Sequence, residues 1–266
     1  MAEIVVDGCR LWYEVSGNAD APPLLLSHCL GSSADLWAPQ LDAFNKHFRV
    51  IRYDTRGHGR SEAPRETYTL DRLGRDAIAI LDAALRLRSG QAGERAHVCG
   101  ISIGGMTAMW LAIHAPDRVD RIVAANTAAR IGTTDLWDAR INQARTDGLA
   151  ALAPGSMTRW FTETYRDAHA DTVARLQRTM TSGTVDGYVG CAAALRDADL
   201  RDRVAQIAAP TLVITGTHDP STPPEDGKWL AQHIENSRLL ELPTAHLSNV
   251  EQAEAFTRAV VDFLSE

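Results

Sequence analysis

Eight short runs along the chain are dense in β-branched and aliphatic residues and close on turn formers: EIVV, RLWYEV, PPLLLSH, FRVIRYD, RAHVCGI, DRIVAAN, PTLVITG and SRLLELP. Each has the length and makeup of a strand. Between the later runs the apolar positions recur at helical spacing, in LDRLGRDAIAILDAAL, GGMTAMWLAIHA and the final EQAEAFTRAVVDFL. Strands that alternate with helices imply right-handed crossovers, and so an α/β fold with a mostly parallel sheet covered by helices on both faces. The first two runs, separated by Asp7-Gly8, read instead as an antiparallel hairpin at one edge.

The alternation lapses between residues 128 and 204. There TTDLWDARINQARTDG, SMTRWFTETYRD, ADTVARLQRTM and VDGYVGCAAALRD follow one another as helix-compatible segments, and the sheet pattern resumes at PTLVITG. The expectation is an α/β core over 1–127 and 205–266, interrupted by an all-helical insertion over 128–204 that sits above it as a cap. Trp137, Trp160, Tyr165 and Tyr188 of this block either line a substrate cavity or pack its helices together; the pattern leaves both open.

Composition narrows the classes. A chain of 266 residues is long enough to bury a full core, and its net charge of −7 with scattered basic side chains offers no footprint for a nucleic-acid partner. No apolar run approaches the span of a bilayer, and the opening MAEIVVDGCRLWYEVSG has neither a basic nor a continuous apolar signal region. No membrane partner is expected, and the expected location is cytoplasmic. Cys9, Cys29, Cys99 and Cys191 are widely spaced without a CxxC pair, so we expect reduced thiols rather than a metal site or disulfide framework. Cys99 and Cys191 are expected to fill core volume, and no motif supports a catalytic thiol at Cys29.

The stretch VCGISIGGM holds the chemistry. Gly100-Ile101-Ser102-Ile103-Gly104 follows a strand and opens a helix, the setting a G-x-S-x-G nucleophile elbow requires. Bare, the pattern recurs by chance; its strand–turn–helix context makes Ser102 a candidate nucleophile. A serine hydroxyl needs a base, and the base needs a group that fixes its tautomer. The last two strands are followed by THDPSTPP and TAHLSNVE, which supply Asp219 and His246 in the chain order Ser, Asp, His. His114 and His233 read as helix residues, His169 lies in the cap and His218 adjoins the acid; Asn126, at the other strand end open to an acid, is not ionisable. Backbone N–H groups for a developing oxyanion are expected from Ile103, at the helix start, and Leu30, in the loop His28-Cys29-Leu30-Gly31. His28 reads as a residue that organises this loop, and YDTRGHGRSEAP as a structured loop rather than a phosphate cradle.

HCLG, RYDTRGHGRS, CGISIGGM, GTHDPSTPP and AHLSNVEQ, in this order, make the whole chain resemble the α/β-hydrolase superfamily. AANTAARIG at 124–132, with CGISIGGM and HLSNVEQ, is similar to the 3-oxoadipate enol-lactonases of aromatic-compound catabolism. A departure is Cys29, where many relatives carry glycine in an HGxG loop. The resemblance implies a small carboxylated enol-lactone as substrate, opened to 3-oxoadipate by Ser102, His246 and Asp219 without metal, nucleotide or flavin. An anionic substrate calls for a cation. Arg130 is the first candidate because it follows the strand ending at Asn126, with Trp137 and Arg140 of the first cap helix behind it. A general esterase or perhydrolase with the same triad, and a small-molecule sensor that keeps the fold, stand as alternatives. The oligomeric state is not legible.

Overall fold

In the computed structural model, which describes residues 1–89 and 94–266, the chain opens with a hairpin of β1 (Ala2–Val6) and β2 (Cys9–Gly17). Asp7 and Gly8 form its two-residue turn, both at positive φ, 47° and 76°, and Val6 pairs with Cys9 across it. Two left-handed residues twist the strands the way a right-handed sheet needs. There follow β3 (Pro23–Ser27), α1 (Leu41–His47), β4 (Arg49–Tyr53), α2 (Leu70–Ser89), β5 (Ala96–Ile101), α3 (Ile103–His114) and β6 (Val119–Ala125).

Five helices then succeed one another: α4 (Thr134–Asp147), α5 (Leu149–Trp160), α6 (Glu163–Ala168), α7 (Ala170–Thr181) and α8 (Val185–Asp197). The alternation returns with β7 (Thr211–Gly216), α9 (Pro224–His233), β8 (Ser237–Leu242), α10 (Ser248–Glu251) and α11 (Ala253–Leu264). The sheet runs β1-β2-β4-β3-β5-β6-β7-β8, antiparallel through β1, β2 and β4 and parallel thereafter. Its centre is apolar: Leu24–Leu26, Val98–Ile101, Ile122–Ala125 and Leu212–Ile214 are buried, and so is α3 from Ile103 to Ala112. Strands covered on both faces leave no polar side to alternate with. Among the described residues no helix is long and apolar enough to cross a membrane.

The helical block departs from the sequence pattern at one point. SMTRWFTETYRD, which reads as one helix, breaks at Phe161, where the backbone is extended. The Thr162 hydroxyl then accepts the Tyr165 N–H and restarts the chain as α6. Thr133 and Thr184 cap α4 and α8 in the same way.

The loop between β4 and α2 packs against this block. Gly57 meets Gly187 of α8 so closely that a Cβ on Gly57 would lie 2.5 Å from the Gly187 Cα. Arg56 is fully buried and holds both oxygens of Asp76 at 2.8 Å, a bidentate pair that closes the loop onto α2. Asp54 accepts the N–H groups of Ala34 at 2.7 Å and Arg60 at 2.8 Å. All four cysteines are free and buried, with Cys99 and Cys191 in the core.

Candidate active site

Ser102 stands between β5 and α3 with φ 60° and ψ −122°, a conformation unusual for a residue with a side chain. The sharp turn brings neighbouring backbone too close for side chains on either side. A Cβ on Gly100 would lie 2.0 Å from the Gly104 carbonyl oxygen, and one on Gly104 would lie 2.2 Å from that of Ser27. Backbone cannot yield as a flexible side chain can. Gly104→Ala should therefore lower stability by about 3 kcal/mol or prevent folding, as chemical denaturation would register; a folded variant of unchanged midpoint would refute the packing argument.

Asp219 and His246 approach from the loops after β7 and β8, and Asp219 Oδ2 lies 2.8 Å from His246 Nδ1. Asp219 Oδ2 also accepts from Thr222 Oγ1 at 2.7 Å and Asn126 Nδ2 at 3.1 Å, while Oδ1 accepts the N–H groups of Ser221 and Thr222 at 2.8 and 3.1 Å. Burial alone would oppose its ionisation, but His246 and these donors outweigh it and hold the carboxyl below its ordinary range. A carboxylate on Nδ1 requires the imidazole proton there, which leaves Nε2 as the basic nitrogen. Ser102 and His246 line one cavity, and no hydrogen bond joins them among the described residues. Such contacts commonly tighten only when substrate is bound.

The N–H groups of Leu30 and Ile103 have no protein acceptor among the described residues. Their loop is organised by two buried histidines. His28 Nε2 accepts the Thr55 N–H at 2.9 Å, so Nδ1 carries the proton and donates to the Cys29 carbonyl at 2.8 Å. His58 Nε2 accepts the Gly31 N–H at 2.9 Å. Burial, with the adjacent His28, pushes His58 down to about 3, so it stays a neutral acceptor at physiological pH. His28 thus serves the loop rather than acting as a second base.

The cavity, about 70 Å³, admits only a compact ligand. Ser102, His246 and Leu30 share its wall with Trp137, Arg140, Arg159, Trp160, Met180 and Tyr188. Arg140 lies 4.8 Å above the Trp137 ring, and Trp137 Nε1 donates to the Ile131 carbonyl at 2.6 Å. Arg159 Nη2 donates to Ser156 Oγ at 3.0 Å. Among the described residues neither arginine has an acidic partner. Burial depresses the pKa of both, and for Arg159 the charge of Arg140 adds to it.

Arg130 requires a correction. Its guanidinium reaches Asp199 at 3.4 Å and Thr134 at 3.5 Å, and it is not part of the cavity wall. The chain turns after β6, so Ile131 faces the cavity while Arg130 keeps a partly exposed ion pair. Arg159 is a cation of the cavity wall that the sequence pattern does not single out. Tyr165 also stays outside the cavity wall, stacked between Phe161 and His169.

A mostly parallel sheet whose central strand ends in a positive-φ serine is the arrangement that marks the α/β hydrolases, and the chain belongs to that family. The family profile described as alpha/beta hydrolase fold matches residues 22–253. Within it the chain groups with the enol-lactonases. It is 43% identical over 248 residues to 3-oxoadipate enol-lactonase 2 of Acinetobacter baylyi, covering 93% of this chain and 90% of that protein. To 3-oxoadipate enol-lactonase 1 of the same organism it is 38% identical over 257 residues, covering 97% and 94%. The crystal structure of the enol-lactonase from Burkholderia xenovorans superposes over 100% of both chains with a TM-score of 0.95 and 42% identity. The chain is a hydrolase acting on carboxylic ester bonds.

Proposed function

We propose that this enzyme hydrolyses 3-oxoadipate enol-lactone to 3-oxoadipate through an acyl-enzyme, as a step in aromatic-compound catabolism. The observation that carries the reading is the pair Arg140 and Arg159, half-buried in the cavity wall with no acidic partner among the described residues. Partly desolvated cations without an acidic partner suit a bound carboxylate, and the acetate arm of the lactone supplies one.

Ser102 Oγ attacks the lactone carbonyl while His246 Nε2 takes its proton, and Asp219 steadies the imidazolium through Nδ1. The oxyanion rests on the N–H groups of Leu30 and Ile103. Collapse of the tetrahedral adduct breaks the ring C–O bond and expels an enolate, which takes the proton from His246 Nε2 and ketonises, leaving the imidazole neutral. Water, deprotonated by His246, then attacks the Ser102 ester, and the acid departs as the serine recovers its proton. Residues 128–204 act in this reading as a cap that carries the carboxylate anchors, and the buried free cysteines favour the cytoplasm.

The test is kinetics on the lactone and on a neutral ester of similar size. Arg140→Gln and Arg159→Gln should each raise KM for the lactone on the order of 10-fold to 100-fold, with kcat and neutral-ester turnover little changed; Arg130→Ala should alter neither substrate. Equal losses on both substrates, or no lactone turnover by the native enzyme, would overturn the reading.

A further inference from the structure

The end of β6 and the turn that follows hold three consecutive residues to which the proposed chemistry gives no role, and each touches the site. The Ala125 carbonyl accepts the Ser102 N–H at 3.0 Å, and Thr127 Oγ1 donates to the Ser102 carbonyl at 2.8 Å. Between them Asn126 is 1% exposed, with φ 42°, and its own N–H donates to the Ile214 carbonyl of β7 at 2.7 Å. Its side chain spans two loops. Nδ2 donates to Asp219 Oδ2 and to the Ala245 carbonyl, both at 3.1 Å, while Oδ1 accepts from Ser248 Oγ at 2.5 Å.

The Ala245 carbonyl can only accept, which fixes the amide with its NH2 toward Asp219 and its oxygen toward Ser248. A primary amide is the group that can serve all three partners at once. A carboxylate here would face both Asp219 and a carbonyl with no proton to offer, and an apolar side chain would leave Ser248 and Ala245 unpaired. Asparagine also tolerates the left-handed backbone better than most residues.

We infer that Asn126 is a positioning residue for the hydrolysis: its amide bridges Asp219 to the His246 loop and keeps the acid–base pair in register with Ser102. The inference rests on the triad reading above. The effect of Asn126 on kcat runs through Asp219, while its bonds to Ala245 and Ser248 hold the loop whether or not that carboxylate is present.

The experiment places Asn126→Gly, which suits the positive φ, and Asn126→Asp, which keeps the shape but loses the donor, in the native and Asp219→Ala backgrounds. In the native background each should lower kcat on the order of 10-fold to 100-fold with KM within about twofold. In the Asp219→Ala background the further change should stay below about twofold, the non-additivity of groups that work as a unit. Ser248→Ala, which frees the Asn126 oxygen, should give a smaller loss of the same kind and carries the test if a variant at 126 fails to fold. Native kcat in the Asn126 variants, or equal losses in both backgrounds, would refute the role of Asn126 alone. Near-native kcat for Asp219→Ala would refute the triad reading itself.

Discussion

Ser102→Ala is expected to reduce kcat for the lactone by roughly 10⁴-fold or more while the protein remains folded. No hydrogen bond of the folded chain uses Ser102 Oγ among the described residues, and the elbow is held by backbone bonds from Ser102 N–H to Ala125 and from Met106 N–H to Ser102. The thiol on the cavity wall cannot substitute. Cys29 is a buried thiol pushed up to about 12 chiefly by desolvation, so it stays protonated and inert at neutral pH. The strained backbone adds a second readout. Ser102→Gly, equally inactive, should unfold at a higher temperature than Ser102→Ala, because glycine adopts φ 60° without penalty. Residual lactone turnover within tenfold of native in Ser102→Ala would remove the nucleophile from the mechanism.

The second large effect is expected from Asp219→Asn. Five donors converge on the two carboxylate oxygens, three on Oδ2 and two on Oδ1. An amide NH2 would meet a donor whichever way it turned. The cheapest relief is for His246 to surrender its Nδ1 proton and carry it on Nε2, where it can no longer accept from the serine. We expect kcat to fall about 10⁴-fold near neutral pH with KM little changed, and stability to fall by about 1–3 kcal/mol from the mismatched donors. A loss below tenfold in steady-state assays would show that the carboxylate does not set the imidazole tautomer.

Much of this was readable in the sequence, for reasons that differ by element. The central strands announce themselves because a sheet covered on both faces demands unbroken β-branched and aliphatic runs, as in PLLLS of β3 and AHVCGI of β5. The pairing of Asp219 with His246 follows from topology, since parallel neighbours β7 and β8 must deliver their exit loops to the same edge. The cavity wall was harder. Arg130 looked well placed by its nearness in sequence to β6, yet a turn of a few residues aimed it at Asp199. Arg159 carried no signal in an arginine-rich block, because its place in the cavity wall depends on how α4, α5 and α7 pack. The bridging contacts of Asn126 are tertiary too, joining positions 93 and 119 residues apart.

The residues on either side of His246 are both tied to the junction of α5 and α6. Leu247 N–H donates to the Trp160 carbonyl at 3.0 Å, and Glu251 accepts both the Ala245 N–H at 3.0 Å and the Thr162 hydroxyl. Arg159 and Trp160 sit at that same junction. Swinging the end of α5 outward would therefore both pull on the His246 loop and carry Arg159 away from the cavity. Leu136 of α4, 41% exposed, lines the same cavity and takes part in none of these ties.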